Sequence, residues 1–367
     1  MKILKKFACL VLSAAVLLAA AACSGTAGSP GTPKNSSGGV GSNSAAQTVT
    51  VTDDNGNSVT LPANAKRIAV CGIYPLPSVL TVFFDSAKNI VGMPKESMTA
   101  AKNSLLSKLY PEILKADTGF SNGDSVNLEE LAKLKPDVVF YSASNRELGK
   151  QLKAAGFGAV AVSVGKWNYN SIKTLNHWIA LLSQIFPDNS KARIVQDYSN
   201  KVYNLVQSRV KNLPDSKQAR VFFLFQYSSN TLLSSGKNFF GQWWADAIGA
   251  KNVAEGITKD NAASVNMEQI YKWNPDLIFI TNFTTAYPET LYGNKVGSFD
   301  WSSIKAVQNR RVYKMPLGMY RSYTPGVDTP ITLLWLAKAV YPDLFKNIDI
   351  TAKTKEYYKT VFGVTLT

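Results

Sequence analysis

Apolar residues fall into two patterns along this chain. Short, nearly uninterrupted runs occur at Arg67–Ile73, Ile90–Met93, Val138–Ser142 and Ala159–Val164, then at Val221–Gln226, Leu277–Thr281 and Arg311–Met315. Runs of this length predict strands buried on both faces, as in a parallel sheet. Between them the apolar positions take a helical period. Gln151–Ala155 and Ser302–Val307 each precede a strand and predict crossover helices. Ser171–Phe186 predicts a helix with Ile172, Leu175, Ile179 and Leu182 on its apolar face. The longest periodic stretch covers residues 189–213, where Ile194, Val195, Tyr198, Val202, Leu205, Val206 and Val210 share one stripe and Pro214 lies just beyond. It predicts a single backbone helix joining an α/β lobe at 47–188 to a second at 214–367.

The two halves share a pattern at an offset of 139 residues. Asn127-Leu128-Glu129-Glu130 leads through Lys135-Pro136-Asp137 into Val138-Val139-Phe140, and Asn266-Met267-Glu268-Gln269 leads through Asn274-Pro275-Asp276 into Leu277-Ile278-Phe279. Each reads as a capping box, a short helix, a proline stop and a buried strand. A duplicated α/β lobe is the economical explanation.

The amino terminus adds an address. Lys2, Lys5 and Lys6 precede an uncharged, mostly apolar run from Phe7 to Ala22 that ends in small residues, as a secretory signal does. Ala20-Ala21-Ala22-Cys23 resembles the lipobox of bacterial lipoproteins, with Ala20 where Leu is commoner. The resemblance implies a signal peptide at 1–22 and lipidation of Cys23. Plain secretory cleavage near the alanines is the alternative. Residues 23–46 are rich in Gly, Ser, Thr, Pro, Asn and Ala, a flexible tether rather than a core. No second long apolar run exists, so the body is expected to be held at a membrane from outside.

Composition then narrows the chemistry. The 367 residues carry 40 basic and 25 acidic side chains, one histidine and three cysteines. Removing residues 1–22 takes three lysines and no acid, lowering the net charge from +15 to +12. On a secreted, tethered body that excess suits an acidic envelope or an anionic ligand, and nucleic acid drops out. One histidine cannot build the several-imidazole site of a bare zinc or manganese binder. His177 itself is expected on a helix surface or partly buried. If Cys23 carries lipid, Cys71 is the only thiol left, and it lies in a buried-looking strand as an inert residue.

Taken together, Val51-Thr52-Asp53-Asp54-Asn55-Gly56 leading into Lys66-Arg67-Ile68, the paired Asn-cap and Pro-Asp motifs, the long helix, and Trp301 with Ala306–Tyr313 resemble the class III periplasmic substrate-binding proteins of ABC importers over roughly residues 47–345. The resemblance implies two Rossmann-like lobes linked by a single long backbone helix, with the ligand in the cleft between them. It implies an ABC permease dimer with its cytoplasmic ATPase as partner, a monomeric body, and no enzymatic activity or intrinsic cofactor. That family docks on the permease through one surface acid per lobe, and Glu147 and Glu289 stand nearest the expected places.

In open α/β sheets, ligands bind beyond the carboxyl ends of the strands. That rule points to the loops carrying Tyr74, Lys95 and Trp167 in the first half, and Tyr227, Trp243, Tyr320, Arg321 and Tyr323 in the second. Arginine offers bidentate bonds to oxyanions and stacks on aromatic planes. Tyr and Trp add flat contact area with a polar tip. Such a lining suits a siderophore-iron complex, haem or a corrinoid. A tetrahedral oxyanion such as molybdate or tungstate is the alternative, and a surface sensor or an extracytoplasmic enzyme are further readings.

Overall fold

The structure is a computed structural model that describes residues 47–187 and 190–367. The expected signal peptide, tether and lipidated Cys23 lie outside the described residues. Among those residues no helix is long and apolar enough to cross a membrane.

The first lobe is built on a four-stranded parallel sheet in the order Ile90–Gly92, Ile68–Cys71, Val138–Ser142, Ala159–Val162. Winding reverses between Ile68–Cys71 and Val138–Ser142, so a crevice opens beyond Cys71 and Ser142. Cys71 is fully buried, and burial pushes its thiol up to about 12, consistent with a packed, inert role. A hairpin, Thr48–Thr52 with Ser58–Pro62, precedes the sheet. Its turn covers the sheet's edge: Asp53 Oδ2 accepts from Ala161 N–H (3.2 Å), and Asp54 N–H donates to Ala161 O (3.1 Å). Edge strands left bare invite unwanted pairing, and this turn blunts one.

The second lobe departs from the first. Its sheet runs Ala262–Ser264, Thr231–Ser235, Arg220–Ser228, Leu277–Ile280, Val312–Lys314. The last three strands are parallel, whereas Thr231–Ser235 returns from Arg220–Ser228 as an antiparallel hairpin across Ser229-Asn230. The sequence predicts a single strand at Val221–Gln226. Thr231-Leu232-Leu233-Ser234-Ser235 is too short and too polar at its ends to stand out as an apolar run. The hairpin also contains a β-bulge: Gln226 pairs with Leu233 but Leu224 with Ser234, leaving Phe225 as the extra residue. Before the bulge, Phe222 and Leu224 face the lobe's outer cluster; after it, Tyr227 does so instead of residue 226.

The repeated motif has a physical purpose in each lobe. Asp137 Oδ2 accepts from the amides of Lys66 and Arg67 (2.8 and 2.9 Å), and Asp276 Oδ2 accepts from the Arg220 amide (2.9 Å). The carboxylate after each proline thus ties its strand to the start of the neighbouring strand. The caps differ. Asn266 and Gln269 form the full reciprocal box. Asn127 accepts from Glu129 and Glu130 amides, but the Glu130 side chain turns to Lys133 (2.6 Å), an i,i+3 ion pair that replaces the reciprocal bond.

The joining helix runs Ser190–Val210, roughly 31 Å at 1.5 Å per residue. Gln196 Nε2 donates to Asn176 O (3.1 Å) in the first lobe, and Gln207 Nε2 to Ala247 O (2.8 Å) in the second. Its buried stripe, Val195, Val202, Val206 and Val210, belongs to one apolar cluster. That cluster extends from Ile68 and Val138 in the first sheet to Phe223 and Phe279 in the second. The outer faces of the two sheets are covered by separate clusters, around Phe120 and Leu148 in the first lobe and Trp301 in the second. The strands are therefore buried on both faces, as their apolar runs predict.

Candidate functional site

The carboxyl ends of both sheets face one cleft, which has two main cavities. The larger, about 930 Å³, lies between first-lobe loops at Gly72–Tyr74, Ser142–Arg146 and Ser163–Tyr169 and second-lobe residues Asn238–Phe240, Asp260 and Asn261. The second, about 690 Å³, lies between Thr99, Ala100 and Asn103 of the first lobe and Asn282–Tyr287, Lys314–Leu317 and Arg321 of the second. Arg321 and Lys314 line the second cavity, and no acidic side chain does.

A ledge of half-buried aromatic rings connects the two. Phe239 and Phe225 pack at 5.7 Å, Phe225 stacks on Phe283 at 4.6 Å, and the Arg321 guanidinium lies 4.4 Å from the Phe283 ring centre. These rings are placed by strand ends: Phe225 by the bulge, Phe283 three residues beyond Leu277–Ile280, and Phe239 just before the helix Phe240–Ala247. The rings meet the cleft as an apolar cluster, Phe239 edge-on to Phe225 and Phe225 stacked on Phe283, that ends in a cation, which suits a ligand with an apolar body and an anionic edge.

The first lobe contributes a different surface. Tyr74, half-buried, donates to Asp124 Oδ1 (3.2 Å); burial and the nearby Asp124 and Glu96 carboxylates push its phenol up to about 12. The loop Ser163–Tyr169 hangs on a buried Asp54 carboxylate. It accepts from Ser163 N–H (2.8 Å) and Lys166 Nζ (3.0 Å) and sits 2.9 Å from His177 Nε2. Burial raises the Asp54 pKa, but the bonds from His177, Ser163 and Lys166 outweigh it and leave the acid below its ordinary range. At the loop's tip Asn168 and Tyr169 both adopt left-handed φ (50° and 55°), which is strained for tyrosine. That tip carries Tyr169 across the cleft, where its hydroxyl donates to Asp260 O (2.5 Å) and its ring packs on Phe239 and Phe240.

A second interlobe joint holds Arg321. Gly318 O accepts from the Leu105 amide (2.9 Å) and Met319 O from Ser104 Oγ (3.0 Å), both in the first lobe. On the other side, the amides of Met319 and Tyr320 donate to buried Asp328 Oδ2 (2.7 and 3.2 Å), while Tyr358 donates to Asp328 Oδ1 (2.5 Å). Burial raises the Asp328 acid to about 6. A Cβ on Gly318 would come within 2.5 Å of Asp328 Oδ1, so only glycine fits here. Lys314 is fixed similarly. Its ammonium donates to the carbonyls of Thr281, Thr284 and Ala286 (2.9, 2.6 and 2.9 Å), and burial lowers its pKa to about 8.

The structure sorts the residues expected from sequence. Tyr74 and Arg321 line the cleft cavities, and buried Tyr320 lies behind Arg321, whose guanidinium is 6.0 Å from its ring. Trp167 and Trp243 share a separate flanking cavity of about 550 Å³, where Trp167 packs on His177 at 4.3 Å. Lys95 is exposed at the start of the helix Lys95–Lys102 and lines neither main cavity. Two expectations are corrected. Tyr227 is turned by the bulge into the outer core, where it donates to Val296 O and accepts from Trp301 Nε1, both at 3.0 Å. Tyr323 is fully buried beneath the ledge among Phe223, Phe225 and Phe240. Sequence reasoning missed Phe225, Phe239, Phe283, Tyr169 and Asp54. Phe283, three residues past Leu277–Ile280, is where the strand-end rule could have found a site residue; Phe225, Tyr169 and Asp54 depend on a bulge, a strained loop and a turn, and Phe239 on the start of Phe240–Ala247.

Glu147 and Glu289 are both exposed. Glu147 lies in the first turn of Arg146–Ala154, after Val138–Ser142, and is paired with Lys150 at 3.4 Å; Glu289 lies in the first turn of Pro288–Tyr292, after Leu277–Ile280. Among the described residues no three His, Cys, Asp or Glu side chains converge as a metal site.

Comparison with known proteins agrees with this architecture. The sequence pattern of the periplasmic binding protein family matches residues 86–317. The molybdate-binding protein MolA of Haemophilus influenzae is 27% identical over 337 residues, covering 85% of this chain and 90% of MolA. Its molybdate-bound structure has a TM-score of 0.72 at 25% identity, covering 87% of this chain and 99% of that one. A vitamin B12-binding protein of Vibrio vulnificus is 26% identical over 225 residues, 59% of this chain and 74% of that protein. A periplasmic solute binding protein from Veillonella parvula has a TM-score of 0.76 at 30% identity, covering 88% of this chain and 94% of that one. Two lobes, one joining helix, a cleft at the strand ends and a family match across both lobes place the chain among the class III periplasmic binding proteins of ABC importers.

Proposed function

We propose that this chain captures a metal chelate with anionic groups, a siderophore-iron complex, haem or a corrinoid, and delivers it to its importer. Members of the family are substrate-binding proteins that work outside the cytoplasm with a permease and an ATPase. The observation that carries the chelate reading is the ledge Phe239–Phe225–Phe283, which leads from the larger cavity to one lined by Arg321 and Lys314 without an acid. The ligand's body would lie on the rings and its anionic edge at Arg321. The ligand would bring its own metal coordination, since the lining of the two cavities offers phenols, amides, cations and the separate carboxylates of Asp54 and Asp260 rather than imidazoles. The vitamin B12-binding relative fits this class of cargo.

The test is titration with haemin, cyanocobalamin and ferric siderophores, followed by tryptophan fluorescence and melting temperature. One of them binds at micromolar or tighter affinity, and Arg321→Ala weakens it. No response to any member of the panel overturns the chelate reading. The similarity to MolA favours a second reading, a bare oxyanion at Arg321. Calorimetric heat from molybdate alone, with none from the chelates, would select it.

Glu147 and Glu289 occupy corresponding helix starts in the two lobes and would meet permease arginines, setting register and on-rate more than affinity. The mature chain would begin at a lipidated Cys23, tethered by residues 23–46 to the outer face of the cytoplasmic membrane, and act as a monomer.

A further inference from the structure

A cavity of about 910 Å³ lies at the opposite end of the second lobe from the cleft. It opens beside the edge strand Val312–Lys314, near the amino-terminal ends of the parallel strands, between the helix Thr329–Val340 and the start of Ile350–Phe362. Its size is within the range of small-molecule sites. Its wall is apolar: Leu213, Tyr313, Trp335, Leu344 and Ile350. Trp335 is partly exposed on a helix whose residues are otherwise mostly buried, and it is held edge-on to Phe279 (5.8 Å) and Tyr313 (6.3 Å). Leu344 is 38% exposed beside it. A held, partly exposed tryptophan beside an exposed leucine in an apolar hollow is a contact surface for an apolar partner.

The charged groups lining this cavity define the other end of that partner. Lys217, Arg311 and Lys338 line it, against Asp343 alone. Arg311 Nη2 donates to Ala339 O and Val340 O (3.1 and 3.0 Å), and Lys338 Nζ donates to Phe345 O (3.0 Å). Backbone carbonyls orient Arg311 and Lys338 without cancelling their charge, unlike the carboxylates that pair with Lys133, Lys305 or Lys353 elsewhere, and Lys217 adds an exposed cation. Apolar walls with a fixed cationic rim complement an amphiphile with one acyl chain and one anionic head. We propose that this cavity binds a long-chain carboxylate of the fatty-acid class, independently of the cleft ligand.

The test uses the whole protein and 9,10-dibromostearate, whose bromines quench tryptophan at short range, kept below its micellar concentration. The probe quenches the wild type at micromolar concentration, and Trp335→Phe abolishes the quenching. Lys217→Glu weakens binding about tenfold, as does use of the uncharged methyl ester. Leu344→Asp, at an exposed position where folding is preserved, also weakens it, whereas Arg321→Ala in the cleft does not. The proposal is overturned if the wild type is not quenched, or if quenching survives both Trp335→Phe and Leu344→Asp, because the probe would then lie near other tryptophans, such as Trp167 and Trp243 in the flanking cavity. It is also overturned if sedimentation shows a dimer that excludes the probe and that Leu344→Asp dissociates, since a second copy would then cover the cavity.

Discussion

The two lobes share a sequence motif and a strand layout at their centres, yet they present different chemistry to the cleft. The first lobe offers polar groups held by carboxylates: Tyr74 on Asp124, and the Ser163–Tyr169 loop on Asp54. The second offers rings and cations: Phe225, Phe239 and Phe283, with Arg321 and Lys314. Both lobes keep what each sheet needs internally, namely the asparagine cap, the proline stop and the aspartate that ties neighbouring strands. The parts facing the cleft differ, because nothing in sheet packing constrains them. Affinity should therefore reside mainly in the second lobe, and the first should govern how the cleft closes around what is bound.

The largest expected effect is at Asp328, which serves the second lobe's arginine loop. Asp328→Ala leaves two amides and the Tyr358 hydroxyl without their acceptor and should cost about 3 kcal/mol or more in denaturant unfolding. Asp328→Asn keeps an acceptor for the amides and should cost much less. The two also separate through pH. The folded chain keeps this acid protonated up to about 6, against about 4 for a free aspartate. Its neutral form thus favours the fold fully below about pH 4, and that contribution is lost as pH rises through about 6. The stability difference between wild type and Asp328→Asn should shift across that window; a constant difference would mean that Asp328 does not titrate there.

Next comes Arg321→Ala, which should weaken chelate binding by about 2 kcal/mol, roughly thirtyfold, with little change in melting temperature. Phe283→Ala should weaken it by about 1 kcal/mol, because a stacking surface and the support under the guanidinium are lost together. Tyr74→Phe in the first lobe should change affinity less than either. A larger loss there than at Arg321 would break the division of labour between the lobes. The smallest effect compares the caps by urea unfolding. Asn266→Ala removes a reciprocal box and should cost about 1 kcal/mol, and Asn127→Ala about half that.

The scaffold was largely legible because its signals are local. Apolar runs at Val138–Ser142 and Leu277–Thr281 can satisfy water and backbone only as strands covered on both sides, and the stripe from Ile194 to Val210 only as a helix between two bodies. The cleft was less legible because its residues are placed by features without a local signature. One extra residue at Phe225 exchanges the faces of the strand, so Phe225 reaches the ledge and Tyr227 enters the core. Tyr169 reaches the other lobe only through two consecutive left-handed residues, a conformation its own sequence does not favour. Arg321 was legible because a turn after a strand, bracketed by Gly318 and Pro325, left a cation nowhere else to go.

The apolar cluster shared by both lobes has a consequence for the order in which the chain is made. Val202 and Val206 on the joining helix emerge from the ribosome long before Tyr357 and Phe362, which belong to the same cluster, and Tyr198 waits for the ring of Tyr357 that packs on it at 4.9 Å. Until the last described helix, Ile350–Phe362, has been synthesised, the joining helix carries an unfinished apolar flank. A chain truncated before Ile350 would keep every strand of both sheets, yet it should clump rather than fold, because what covers the joining helix and braces the Arg321 loop is made late.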